Sequence, residues 1–325
     1  MKVEQDISKV QLNCSWAIYA RRMTEESNQS HNNSNSVRPR NWRWILGAAA
    51  IFVGWQFTGL ILTVGAANFF NLDVELLFST DEKDMALVRT QPAWSTGATV
   101  LISFVPLFAF TILAYRFILQ RPVRQLFTAS GRYSWRATWA GFAAMSVILI
   151  GFSASDILLN PDSYTFNWNQ TAFFSYLFIA FTFLPIQTTA EELFFRGWLQ
   201  QWLDNGRRKN WVVSLIGAFL FAAPHMANPE VSGSELLLPL ISYGATGFML
   251  AWVTFRDKTL EIAIGAHFAN NLLTATFVST QDSALPSVSL FTTPEVSWGP
   301  AAVVSVVIVP IFIWLSGKWR AKVLA

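Results

Sequence analysis

The sequence predicts an all-α protein, a polytopic membrane helix bundle of about eight transmembrane helices with the N- and C-termini in the cytoplasm. Composition is the first observation behind this prediction. Of the 325 residues, 53% are hydrophobic and 13% are charged, about half the ~25% charged residues of soluble domains. The second observation is a series of hydrophobic runs that approach the ~20 residues needed to cross a bilayer. The third is that basic residues cluster between alternate runs.

The chain divides into a tail and a membrane domain. Residues 1–41 are polar and include a Ser/Asn-rich stretch at 27–36, which predicts a disordered cytoplasmic tail. This tail lacks the hydrophobic segment of a cleavable signal peptide, so we expect the first span to act as an uncleaved anchor. Residues 42–325 form the predicted transmembrane helical domain. Cys14 is the only cysteine in the sequence, which excludes an intramolecular disulfide.

Hydropathy predicts eight spans in the membrane domain. The fourth is longer than a bilayer requires and contains Pro185, a residue type that can kink a helix, whereas the fifth is the shortest. An even number of spans places both termini on the same side of the membrane. The spans cover residues 45–67, 97–115, 138–155, 172–203, 211–226, 236–255, 260–278 and 298–315.

The loops have the charge asymmetry of the positive-inside rule. With the N-terminus in the cytoplasm, the outer loops contain only Lys83 and Arg89 as basic residues, among many acidic ones. The net charge of +3 therefore reflects membrane topology and does not indicate a nucleic-acid partner. The basic residues on the cytoplasmic side are Arg38, Arg40, Arg43, Arg116, Arg121, Arg124, Arg132, Arg136, Arg207, Arg208, Lys209, Arg256, Lys258, Lys318, Arg320 and Lys322.

The cytoplasmic loop 116–136 has the composition of a segment that lies on a membrane surface. Its arginines are interspersed with aromatic and aliphatic residues. We expect this loop to anchor the protein to anionic lipid rather than to contact a substrate. The residues concerned are Arg121, Arg124, Arg132 and Arg136, with Phe117, Leu126, Phe127 and Trp135.

Strongly polar side chains within the spans are concentrated in the second half of the chain. A charged side chain in the bilayer costs about 2.5–3.5 kcal/mol on insertion scales, so such residues indicate a functional site. The alternative interpretation is a buried ion network with a structural role. The residues are Glu191, Glu192 and Arg196 in the fourth span, His225 in the fifth, and His267, Asn270 and Asn271 in the seventh.

Helix geometry separates the two glutamates of the fourth span. Glu192 and Arg196 are four residues apart and can form an ion pair along one helix face. Glu191 lies about 100° away around the helix, so its side chain is free to reach another helix. We therefore predict that Glu191 is the reactive carboxylate and that Glu192 and Arg196 give structural support.

The two histidine segments share a one-turn spacing. Phe221 lies four residues before His225, and Asn271 lies four residues after His267. A carboxylate and an imidazole can deprotonate a water molecule, while a second imidazole and a carboxamide can stabilise an oxyanion. Alternatively, Glu191, His225 and His267 form a ligand set for Zn²⁺ with an open position for water. The residues leave both mechanisms open.

Three segments resemble the motifs of the CPBP family (CAAX protease and bacteriocin-processing, or Abi), which includes the type II CAAX prenyl endopeptidases. The family pattern Glu-Glu-x-x-x-Arg matches residues 191–196, Phe-x-x-x-His matches residues 221–225, and His-x-x-x-Asn matches residues 267–271. Each motif is weak alone, but three of them in this order in a polytopic chain are specific. The resemblance covers roughly residues 170–280, and residues 1–165 lie outside it.

The resemblance implies an eight-helix intramembrane protease whose site lies below the membrane surface and opens toward the cytoplasm. It implies that Glu191 and His225 activate water and that His267 and Asn271 stabilise the oxyanion, with Phe221 in a supporting role. The expected activity is hydrolysis of a peptide bond in a membrane-associated protein or peptide, metal-dependent or metal-independent, in a bacterial inner (plasma) membrane. The alternative is a non-proteolytic scaffold or immunity-type protein of the same fold.

Overall fold

The computed structural model describes residues 39–78, 84, 87–88, 90–204 and 208–324. In this part of the chain, eight helical stretches of at least 16 residues overlap the eight predicted spans. The prediction of an all-α, polytopic helical bundle is confirmed. The predicted disordered tail falls almost entirely outside the described residues. The long helices are α1, Asn41–Phe69; α2, Ala93–Ile118; α3, Trp135–Leu159; α4, Gln170–Leu203; α5, Asn210–His225; α6, Leu237–Asp257; α7, Glu261–Thr276; and α8, Trp298–Leu324.

Two of the long helices, α2 and α4, are composite: a π-helical segment ends α2, and another interrupts α4. The parts of α2 are Ala93–Leu101, Phe104–Leu113 and the π-helical Ala114–Ile118; those of α4 are Gln170–Glu192, the π-helical Leu193–Leu199 and Gln200–Leu203. Short elements elsewhere are the α-helical turns Val74–Phe78 and Arg124–Phe127 and the 3₁₀ turns Pro161–Ser163 and Pro229–Val231. Short π-helical segments inside α-helices are frequent at functional sites.

In the described ranges, six helices are long and apolar enough to cross a membrane, namely all of the long helices except α5 and α7. Their outer surfaces carry large apolar side chains such as Phe57, Trp139 and Phe178, which are 69%, 54% and 71% exposed. A surface of this kind is stable against lipid rather than water. α5 is a shorter apolar helix, and most residues of α7 are buried inside the protein. The side of the membrane on which the termini lie stays a prediction.

A small three-stranded sheet lies at the end of the bundle where α3 and α7 end. Its strands are β1, Thr165–Phe166; β2, Val278–Thr280; and β3, Phe291–Thr293. β3 is the central strand, antiparallel to β1 and parallel to β2. Because β1 precedes α4 and β2 follows α7, the sheet connects the ends of the two helices that carry most of the predicted site residues.

α3 and α7 cross in very close contact. A Cβ atom on Gly265 would lie 1.9 Å from the backbone oxygen of Thr138, and one on Gly141 would lie 2.3 Å from that of Ile262. Small residues let the backbones of transmembrane helices approach each other. The crossing therefore fixes the position of α7 and of the site residues on it. Alanines extend the contact on both helices: Ala137, Ala140, Ala144, Ala263, Ala266 and Ala269.

At the opposite end of the bundle, the loop before α3 is hydrogen-bonded to the start of α7. The Leu260 N–H donates to the carbonyl of Phe127 at 2.9 Å. The buried carboxylate of Glu261 accepts a hydrogen bond from the Ser134 N–H at 2.6 Å. Loop 116–136, which the sequence predicts to lie on the membrane surface, is thus also bound to the helix that carries His267.

Candidate active site

Glu191 and Glu192 lie at the junction in α4 where the α-helical Gln170–Glu192 meets the π-helical Leu193–Leu199. Both side chains are buried, with 7% and 0% exposure, and Arg196 is 2% exposed. Charged groups are stable in such surroundings only when they are paired and hydrogen-bonded. The contacts of these three side chains therefore define the candidate site.

The predicted ion pair between Glu192 and Arg196 is present, with Arg196 Nη1 2.8 Å from Glu192 Oε1. The same oxygen lies 2.8 Å from His267 Nδ1, and we assign the proton to Nδ1 because a carboxylate can only accept. Arg196 Nη2 donates to the Gly247 carbonyl at 3.0 Å, and the guanidinium lies 4.5 Å from the centre of the Phe221 ring. Glu192 and Arg196 thus connect α4 with α5, α6 and α7.

Glu191 is held by a different set of contacts. Its Oε1 accepts a hydrogen bond from Gln187 Nε2 at 2.6 Å, and Gln187 Oε1 accepts one from Asn271 Nδ2 at 2.9 Å. Glu191 Oε2 lies 3.5 Å from His267 Nε2, too far for a hydrogen bond. This oxygen is buried and has no hydrogen-bond partner among the residues the structure describes. One carboxylate oxygen is therefore held in place while the other faces an imidazole.

Gln187 is a member of this cluster that was not predicted from the sequence. It is 6% exposed and links the two helices α4 and α7 through its carboxamide. Asn270 Nδ2 in turn donates to Asn271 Oδ1 at 3.1 Å, so both ends of the Asn271 carboxamide are bound. The sequence signal that was available is the four-residue spacing of Gln187 and Glu191 in an otherwise apolar run.

His225 lies at the C-terminal end of α5 and is half-buried. Its Nδ1 is 2.8 Å from the Phe221 carbonyl oxygen, which assigns the proton to Nδ1 and leaves Nε2 as an acceptor. The ring packs against Phe221 and Tyr243, with centroid distances of 4.7 and 4.5 Å. Phe221 also packs edge-on against the His267 ring at 5.8 Å. The structure thus joins His225 to the remaining site residues through Phe221.

Tyr243 is held by Glu230, which follows α5 in the chain. The Tyr243 hydroxyl donates to Glu230 Oε1 at 2.6 Å, and Asn228 Nδ2 donates to the same oxygen at 2.9 Å. Glu230 Oε2 accepts a hydrogen bond from the Ala284 N–H at 2.8 Å. No helical spacing or motif in the sequence relates Tyr243 or Glu230 to His225, so neither residue was predicted to belong to the site.

The zinc ligand set that the sequence left open is not assembled in the structure. In the described part of the chain, no group of three His, Cys, Asp or Glu side chains is arranged to hold a metal ion. A catalytic zinc site needs three protein ligands at about 2.0–2.2 Å in near-tetrahedral geometry. The Nδ1 contacts of His267 with Glu192 and of His225 with a carbonyl of its own helix leave Nε2 of both rings available, so the arrangement of the three groups is the deciding observation. The set Glu191, His225 and His267 therefore does not fit zinc in this arrangement.

Comparison with known proteins agrees with the motif resemblance. The family model described as "Type II CAAX prenyl endopeptidase Rce1-like" matches residues 171–273, which include every residue of the three motifs. The chain is also 34% identical over 216 residues to the uncharacterized protein YyaK of Bacillus subtilis (strain 168). That alignment covers 65% of this chain and 72% of the Bacillus protein.

Proposed function

Because the chain belongs to the Rce1-like family of type II CAAX prenyl endopeptidases, we propose that it is an intramembrane endopeptidase. Its substrate is a membrane-associated protein or peptide, of which it hydrolyses one peptide bond. The observation that carries this proposal is the pair of Glu191 oxygens, one held by Gln187 and the other buried and facing His267 Nε2. A carboxylate held in this way is suited to accept a proton from water.

The reaction begins with proton transfer from water to Glu191 Oε2. The water oxygen attacks the carbonyl carbon of the substrate, and the carbonyl oxygen becomes an oxyanion. Glu191 then delivers its proton to the amide nitrogen as the carbon–nitrogen bond breaks, so the carboxylate is regenerated. His225, whose Nε2 is left as an acceptor, is assigned a second contact to the water, as the family resemblance implies.

His267 and Asn271 are assigned the stabilisation of the oxyanion. For this role His267 needs a proton on Nε2 in addition to the one that Nδ1 donates to Glu192. The amide group of Asn271 is oriented by Gln187 and Asn270. Hydrogen-bond donors fixed before the reaction stabilise developing charge strongly, because they need no reorganisation. Glu192 and Arg196 are positioning residues for His267 in this mechanism.

We also propose that the protein resides in a bacterial plasma membrane with both termini in the cytoplasm. Six apolar helices in the described part of the chain, together with the family, make the chain an integral membrane protein. The basic loops predicted from the sequence support the orientation, and the relative from Bacillus subtilis supports the bacterial location.

The proposal is tested by comparing wild-type protein with Glu191→Gln on a library of membrane peptides, with and without a prenylated C-terminal cysteine. Loss of a general base lowers the rate by roughly 10²–10⁴-fold. Glu295→Gln, which changes an exposed glutamate, serves as the matched control. Equal cleavage by wild type and Glu191→Gln contradicts the role of Glu191. Binding of peptides without cleavage by the wild-type protein supports the scaffold function instead.

A second experiment separates the metal-independent mechanism from the metal-dependent one. Metal content and cleavage rate are measured on the same purified samples before and after treatment with a chelator. The metal-independent mechanism predicts an unchanged rate after chelation. A rate that falls with the chelator and returns with added Zn²⁺ would show that the donor residues rearrange around a metal when substrate is bound.

A further inference from the structure

A cavity of about 770 Å³ lies between α3 and α4 and does not include the catalytic cluster. Its walls come from α2, α3, α4, α7 and the loop before α3, and Glu191, His225 and His267 are not among its lining residues. The volume is within the roughly 300–1,000 Å³ of small-molecule sites. The proposed proteolysis therefore leaves this cavity without a role.

The floor of the cavity is aromatic and belongs to α7. The ring of Phe268 lies 5.2 Å from that of Phe142 on α3 and 5.8 Å from that of Phe181 on α4. The outer rim is formed by Trp135, Trp139 and Phe181, which are 69%, 54% and 49% exposed. Because the rim residues lie on helices that cross the membrane, the cavity opens sideways toward lipid.

One end of the cavity is polar and carries a positive charge. Arg124, which precedes α3, lines the cavity, and its Cδ packs 3.6 Å from the Cβ position of Gly131. The Tyr133 hydroxyl is within hydrogen-bond distance of Thr138 Oγ1 at 2.7 Å, and both residues also line the cavity. The cavity thus has two parts. The apolar part, called the slot below, is lined by the aromatic and aliphatic side chains of α3, α4 and α7, and the other part is a cationic end at the basic side of the bundle.

We propose that this cavity binds one anionic phospholipid, with an acyl chain in the slot and the phosphate on Arg124. Arginine is the side chain best suited to phosphate, because its guanidinium donates two parallel hydrogen bonds. Basic pockets between transmembrane helices on the cytoplasmic side are suited to anionic head groups. This proposal differs from the predicted surface anchoring by loop 116–136, because it names one arginine, Arg124, and one cavity as the site that binds the lipid. It does not depend on the proposed proteolytic function.

Native mass spectrometry of the full chain in nanodiscs tests the proposal. The probes are 1-palmitoyl-2-oleoyl phosphatidylglycerol and phosphatidylcholine with the same chains, so that only the head group differs. We expect one retained phosphatidylglycerol and a preference over phosphatidylcholine of about fivefold, the effect of one basic residue near anionic lipid. Arg124→Gln should abolish this preference. Arg136→Gln, which removes an exposed arginine outside the cavity, should preserve it.

A second variant tests the apolar slot. Ile186→Trp adds volume to a half-buried lining residue of α4 and should reduce retention of both lipids several-fold. Glu191→Gln should retain lipid as the wild type does, because the catalytic cluster does not line the cavity. The proposal is overturned by equal retention of the two lipids in the wild type or by equal effects of Arg124→Gln and Arg136→Gln. Displacement of the bound lipid by a peptide that the protein cleaves would instead identify the cavity as a path for substrate.

Discussion

Gln187 Nε2 donates to Glu191 Oε1 at 2.6 Å from one turn earlier on the same helix, while Gln187 Oε1 accepts from Asn271. One neutral side chain therefore connects the proposed base with a proposed oxyanion donor. A carboxamide offers a donor and an acceptor on the same planar group, so it can bind both partners at once. The orientation of Glu191 and that of Asn271 consequently depend on each other.

Gln187→Leu should lower kcat about 10–100-fold with little change in KM, because a hydrogen bond to a charged group contributes about 1.5–3 kcal/mol. Steady-state kinetics on a peptide that the wild-type protein cleaves measures this effect. Gln91→Leu, at an exposed glutamine before α2, is the matched control. An unchanged kcat for Gln187→Leu would show that contacts other than Gln187 orient the carboxylate.

Glu192→Gln should lower stability first, with activity lost as a consequence. Glu192 is fully buried and pairs with Arg196 and His267. Removing one partner of a buried ion pair costs about 3–5 kcal/mol, because the other charge is left without compensation. Thermal unfolding in detergent, compared with Glu295→Gln, measures the loss. If Glu192→Gln stays folded and is fully inactive, the division of roles between the two glutamates is wrong.

Two substitutions of Tyr243 separate its hydrogen bond from its ring contact. Tyr243→Phe removes the hydrogen bond to Glu230 but keeps the ring that packs 4.5 Å from the His225 ring. Tyr243→Ala removes both. We expect kcat/KM to fall less than tenfold for Tyr243→Phe and further for Tyr243→Ala, because an aromatic pair contributes about 0.5–1.5 kcal/mol beyond burial. Equal kinetics for Tyr243→Ala and wild type would exclude a positioning role for this ring.

Gly265→Ala should destabilise the protein by about 3 kcal/mol or more, the upper range of overpacking, since the added Cβ meets backbone rather than a flexible side chain. Gly151→Ala is the matched control on α3, where a Cβ meets nothing within 4 Å. That change should be stabilising by up to about 1 kcal/mol, the helix propensity difference between Gly and Ala. Thermal unfolding of both variants checks the prediction. Similar unfolding temperatures would mean that α3 and α7 separate at little cost.

Local features of the site were predictable from the sequence because they depend on helix geometry alone. The pairing of Glu192 with Arg196 follows from their four-residue spacing, and hydropathy predicts the overlapping positions of the eight helices. The π-helical segment after Glu192 was not predicted, since hydropathy and residue spacing do not report a local change in helix winding.

Contacts between helices could not be predicted in the same way. The bond between Glu192 and His267 joins residues 75 positions apart, and that between Asn271 and Gln187 joins residues 84 apart. No periodicity relates such positions, so the sequence predicted Glu192 as a partner of Arg196 alone. The contact of Tyr243 with His225 was missed for the same reason.

The glycine crossing of α3 and α7 has a consequence for bilayers of different thickness. Transmembrane helices usually adapt to a thicker or thinner bilayer by tilting. α3 and α7 have no room to slide past each other at Gly141 and Gly265, and His267 ties α7 to α4. We expect these three helices to tilt as one rigid body, so that hydrophobic mismatch changes the depth of the whole site without separating its imidazole from its carboxylates.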